Sequence, residues 1–155
     1  MTITSTDLKI QLAKVQILES NVTYQLSMIA KIMDIHAQSL LSDTPLNLTA
    51  YRLLKTVETF ELISIADLSR HMVTDNAQIS RTATDLGRKG FVEFRADLKN
   101  KRRKMVVLSK DGMALMAKLA PRFEARRKEV EECLGEQAIE KLHKNFAKLV
   151  SQFSP

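Results

Sequence analysis

The chain has 155 residues, the length of one domain, and 45% of them are apolar, so a core can form without disulfide or metal staples. Aromatic residues make up only 5%, and four Gly and three Pro leave too little punctuation for many short strands, which favours long helices. The net charge of +6 directs attention to an anionic partner, while one cysteine and three scattered histidines exclude an internal disulfide and a tetrahedral zinc site.

The first residues, MTITSTDLKIQL, have neither the basic start nor the apolar run of a signal peptide, and no apolar stretch is long enough for a membrane span. A soluble cytoplasmic protein with no membrane partner is therefore expected. From Leu8 to Leu40 apolar residues recur at the helical period (Leu8, Leu12, Val15, Leu18, Val22, Leu26, Ile29, Met33), predicting one long helix or two in succession. A second stripe, including Ile10, Ile17, Ile32 and Ile35, widens this surface beyond what one neighbouring helix would cover, so several partners are expected, including another subunit. Ser42-Asp43-Thr44-Pro45 ends the segment.

Asn47 can cap a helix over Leu48–Phe60, and Ser64 can cap one over Ile65–Met72 with Asp67 well placed for the helix dipole. Asp75 and Gln78 have capping-box spacing, so a third helix runs from Asn76 to Lys89 and stops at Gly90. Phe91–Arg95 and Lys104–Leu108 read as two strands of a hairpin whose tip is the polar, basic stretch 96–103. Ser109 then caps a long helix that contains Pro121 as an expected kink, and Gly135 separates a last helix with Ile139, Leu142, Phe146, Leu149 and Phe153.

The charge is unevenly spread. Residues 1–48 hold three basic and four acidic side chains, residues 49–112 thirteen and eight, and residues 113–155 eight and six. Within the middle segment, Arg88 to Lys104 has eight basic residues against Glu93 and Asp97, which equals the excess of the whole chain. Three short helices followed by a basic hairpin form a winged helix-turn-helix, whose third helix enters the DNA major groove while the hairpin reaches the flanking backbone or minor groove. On that third helix Ile79, Ala83 and Leu86 share one direction and should pack inward; Ala77, Arg81, Thr84 and Arg88 lie opposite, flanked by Gln78 and Ser80, with Asn76 at the leading end. Asn76 and Gln78 can bond adenine, Arg81 guanine, and Ala77 can approach a thymine methyl, whereas Ser80, Thr84 and Arg88 suit phosphate oxygens. On the wing, Lys99, Asn100, Lys101, Arg102 and Arg103 are the candidate contacts.

The stretch from about Leu46 to Gly112 resembles the MarR (multiple antibiotic resistance regulator) family of bacterial winged-helix transcription regulators. The resemblance rests on Gly90-Phe91-Val92, Asn100-Lys101-Arg102 and Ser109-Lys110-Asp111-Gly112 at their spacing, and more weakly on ISIADLSRHM and AQISRTATDL. It implies a mostly α (α+β) fold, a winged helix-turn-helix with long N- and C-terminal dimerisation helices. One structural domain would comprise a DNA-binding region over 47–112 and a helical dimerisation region over 1–46 and 113–155. It further implies a homodimer on double-stranded DNA with a palindromic operator, repression, a small aromatic or anionic effector bound between the helices and the DNA-binding lobe, a bacterial cytoplasmic location and no cofactor. The chain departs from the family pattern in three places: Asn100 replaces the commoner wing Asp, Lys101 stands where Arg commonly enters the minor groove, and Gly87 replaces a larger residue at about 1 kcal/mol of helix propensity.

No G-x-S-x-G, Walker A or G-x-G-x-x-G pattern is present, so no enzyme is expected. Cys133 lies among Glu129, Glu131 and Glu132, which disfavour a thiolate and argue against redox sensing. His36 reads as structural rather than as a ligand contact, and Met28, Met33, Met113 and Met116 as adaptable core. The rival to DNA binding is a winged-helix module that binds protein.

Overall fold

The computed structural model describes residues 5–97 and 103–154. The chain divides into two compact units, residues 1–48 and residues 49–155. The first holds α1 (Ser5–Glu19) and α2 (Val22–Ser39), so the long amphipathic stretch is two helices and not one. Asn21 makes the break: its side chain accepts the Tyr24 amide proton (3.0 Å) and the Thr23 hydroxyl (2.6 Å), which restarts the helix after Ser20. The apolar stripe is exposed along both helices, at Leu8, Leu12, Val15 and Leu18 and again at Val22, Ile29, Ile32 and Ile35.

The second unit holds α3 (Leu48–Phe60), β1 (Ile63–Ser64), α4 (Ile65–His71), α5 (Asn76–Arg88), β2 (Val92–Ala96), β3 (Lys104–Leu108), α6 (Lys110–Leu134) and α7 (Glu136–Phe153). This is the mostly helical winged helix-turn-helix expected from the sequence. Strand β1 was not anticipated; its two residues pair with β3, Ile63 opposite Val106 and Ser64 opposite Met105, giving an antiparallel sheet in the order β1-β3-β2. The hairpin register sets Val92 opposite Leu108 and Ala96 opposite Lys104. Leu53, Leu54, Val57, Leu68, Ile79, Ala83, Leu86, Val106 and Leu119 are fully buried, and truncating any one of these leucines to Ala would cost about 2–5 kcal/mol.

Two of the three short helices, α4 and α5, are capped as their sequences predict. Ser64 accepts the Asp67 amide proton at 3.1 Å and Asp75 accepts that of Gln78 at 3.0 Å. Helices α4 and α5 both end in Schellman pairs: Val73 and Thr74 amides donate to the Arg70 and Ser69 carbonyls, and Gly90 and Phe91 amides donate to the Gly87 and Leu86 carbonyls. The motif places the residue after the cap at positive φ, 79° at Gly90 but 47° at Val73, where an L residue costs about 1–2 kcal/mol.

Ser109 and Gly112 join the wing to α6. The Ser109 hydroxyl donates to the Gly90 carbonyl and accepts the Gly112 amide proton (3.0 Å), while the Ser109 amide donates to the Phe91 carbonyl (3.1 Å). A Cβ on Gly112 would stand 2.0 Å from that same Phe91 oxygen, so the first turn of α6 lies directly on the backbone leaving α5. Relief would require moving backbone. Gly112→Ala should therefore destabilise the protein by about 2 kcal/mol or more, as overpacking does, despite the better helix propensity of Ala. Urea unfolding followed by circular dichroism would measure this, and a midpoint at or above that of the wild type would contradict the close approach.

Candidate nucleic-acid interface

Helix α5 presents two chemically distinct faces. Ile79, Ala83 and Leu86 are fully buried, whereas Asn76, Ala77, Gln78, Ser80, Arg81 and Arg88 are exposed. Thr84 is half-buried, and its hydroxyl donates to the Ser80 carbonyl (2.8 Å), which leaves the oxygen able only to accept. Among the described residues Arg81 and Arg88 have no acidic partner, unlike Lys89, which pairs with Asp85 at 2.8 Å, and Arg95, 3.8 Å from Glu93. The outward face thus keeps two uncompensated guanidinium groups.

The leading end of α5 borders a groove of about 630 Å³ lined by Asn76, Ala77 and Ser80 on one side and by Arg103 and Lys104 on the other. The expected helix contacts and the base of the wing are therefore brought together. Lys99, Asn100, Lys101 and Arg102 lie outside the described residues.

Two features of this interface were not legible as contacts in the sequence. The first is Asp67, read there only as a helix-dipole residue. Its carboxylate accepts from the Ser64 hydroxyl and is ion-paired with Arg70 (2.8 Å) and with Arg103 (2.6 Å), 36 positions away in the chain. Such half-exposed pairs contribute little energy, about 0–1 kcal/mol each, but here they tie the start of α4 to the root of the wing. An acid on α4 thus braces an arginine at the base of the wing. The second is Gly87. A Cβ there would approach the Phe94 ring to 2.8 Å, and Lys104 Nζ lies over that ring, 3.9 Å from its centroid. The bare Cα of Gly87 leaves room for the Phe94 ring of β2 against α5.

Away from the groove, Tyr51 of α3 stacks on Phe123 of α6, ring centroids 3.8 Å apart and planes 11° from parallel. Burial, helped by the nearby Glu58, pushes the Tyr51 phenol above its ordinary value. The stack borders a concavity of about 480 Å³ that Lys55, Pro121 and Arg127 also line. Pro121 lies within α6, and its missing N–H deprives the Ala117 carbonyl of its helical donor. Among the described residues no cluster of His, Cys, Asp and Glu could hold a metal, and no helix is long and apolar enough to cross a membrane.

Comparison with known proteins places this geometry. The model of the MarR family matches residues 46–104. A MarR family transcriptional regulator from Silicibacter pomeroyi superposes with a TM-score of 0.80 at 19% identity, covering 88% of this chain and 92% of that one. A mutant MarR from E. coli, solved in complex with operator DNA, gives 0.76 at 18% identity over 83% and 93% of the two chains. BpsR from Bordetella bronchiseptica, whose DNA binding is described as regulated by 6-hydroxynicotinic acid, gives 0.76 at 18% identity over 84% and 94%. No curated protein sequence matches the chain.

The Ser64 hydrogen bond, and after it Arg103 and Arg70, hold the Asp67 carboxyl below the usual carboxylate range. A depressed acid contributes stability that is complete above its unfolded value, near 3.9, and is lost as pH falls through the lower folded value. Asp67→Asn should accordingly be less stable than the wild type at neutral pH and lose less stability between about pH 4 and pH 2. Parallel acid-unfolding curves for the two proteins would show that Asp67 is not held in this way.

Proposed function

From the match of the MarR family model to residues 46–104, we propose that the chain is a MarR family regulator, a sequence-specific DNA-binding repressor that acts as a homodimer on a palindromic operator. The observation that carries the reading is the outward face of α5, polar and basic, with two uncompensated arginines and a shared groove with the wing base. In this reading residues 47–112 are the DNA-binding region, and 1–46 with 113–155 form the dimerisation region. Asn76, Gln78 and Arg81 read base edges, Ala77 meets a thymine methyl, and Ser80, Thr84 and Arg88 hold phosphates. Lys99, Asn100, Lys101, Arg102 and Arg103 follow the backbone and minor groove on the wing.

Two further parts of the proposal rest on separate observations. Exposed apolar side chains run along α1 and α2, and α7 has no buried residue while carrying Phe146, Leu149, Val150 and Phe153 on its surface; a second subunit would cover such stripes. For control, the concavity beside the Tyr51–Phe123 stack offers aromatic surface to a small aromatic acid of the kind that regulates BpsR, whose carboxylate would have to compete with Glu58 for Lys55 or with Glu124 and Glu131 for Arg127. A ligand favouring the form that cannot bind DNA must weaken operator affinity by linkage.

Footprinting on the protein's own promoter region, followed by anisotropy titrations, tests the DNA reading. With about six to ten phosphate contacts, affinity should fall roughly a thousandfold or more between 50 and 200 mM salt, whereas a protein-binding module would show almost no slope on DNA. Arg81→Ala should cost about 1–3 kcal/mol and relax base preference, while Lys101→Ala or Arg102→Ala should weaken all sequences alike. Equal loss of discrimination from all three would remove this division of roles. Sedimentation should find a dimer, with dissociation once residues 1–20 and 136–155 are deleted; an undiminished dimer would place the interface elsewhere.

A further inference from the structure

Helices α4 and α5 end in the same hydrogen-bonded motif, yet with opposite choices at the residue that must adopt positive φ. At the end of α5 the position is Gly90, free of side-chain strain. At the end of α4 it is Val73, and a β-branched residue is among the least favourable occupants of that conformation. Packing does not compensate, because Val73 is 87% exposed, the most of any large apolar side chain described. The fold alone would favour Gly at both positions, and among the described residues the isopropyl group at 73 gains almost no burial.

Its place in the fold suggests where the contact is made. Val73 stands in the connection between α4 and α5, three residues before Asn76, the first residue of α5. Three residues span at most about 10 Å, less than the roughly 12 Å width of the DNA major groove. With the leading end of α5 in that groove, Val73 falls at its edge. Phosphates and most base-edge atoms there are polar; the apolar group is the 5-methyl of thymine. We propose that Val73 is a specificity-determining residue that packs its isopropyl group against a thymine methyl in each operator half-site. The proposal rests on the DNA-binding reading above and adds a base contact outside the α5 face.

The test uses the full-length protein and an operator fragment defined by footprinting. Each thymine of a half-site is replaced in turn by deoxyuridine, which removes only the methyl group, and affinities are measured for wild type, Val73→Ala, Val73→Gly and Arg81→Ala. One thymine per half-site should be sensitive, its replacement weakening the wild type by about three- to tenfold. Val73→Ala should lose the same factor on the unmodified operator and be indifferent to deoxyuridine at that position, while Arg81→Ala keeps the sensitivity. Val73→Gly should unfold at a higher temperature than the wild type and still show the reduced affinity, which separates the contact from stability. If Val73→Ala binds as tightly as the wild type, or retains the same sensitivity at every thymine, the assignment of Val73 is overturned while DNA binding stands. A wild-type protein that protects no DNA would overturn both.

Discussion

The joint at Ser109 and Gly112 sets the geometry of the winged helix-turn-helix. One hydroxyl donates to the last carbonyl of the α5 cap and accepts from the first turn of α6, and the bare Cα of Gly112 lets α6 start against the Phe91 carbonyl. Four elements meet there: the end of α5, the start of β2, the end of β3 and the start of α6. Because β2 and β3 are tied by their ladder and β3 by β1, fixing this corner fixes the wing's root relative to α5.

Charge is then arranged on the frame so that fixed and free cations have different positions. Asp67, Asp85 and Glu93 engage Arg103, Lys89 and Arg95, all at the margins of the interface, whereas Arg81 and Arg88 on the outward face of α5 remain open to an incoming anion. An uncompensated surface arginine loses little by waiting in water and gains charge-assisted, bidentate bonds on meeting a phosphate or guanine. The near-neutral flanking segments carry no such excess and expose many large apolar side chains.

What could be read from sequence followed local physics. The cap residues Ser64, Asp75 and Ser109, the stop at Gly90 and the inward trio Ile79, Ala83 and Leu86 are all set by neighbours within one or two turns, and the structure has them as expected. Long-range pairings left no such trace. The two residues of β1 are too few for a pattern, and Asp67 carries the same sign of usefulness at a helix start whether or not Arg103 folds back to it. Gly87 looked like a lapse in a helix because its reason, the Phe94 ring, lies on another element. The break at Asn21 was also missed as a certainty, since an Asn inside an unbroken apolar period signals a cap only when its side chain turns back to the backbone.

The fit of Phe94 into the space at Gly87 makes the third helix and the wing a matched pair. A larger side chain at 87 would meet the Phe94 ring, which would have to shift to admit it. Grafts confined to positions 76, 77, 78, 80, 81 and 84 leave that seat untouched. The outward face of α5 can therefore vary while the seat of Phe94 is kept.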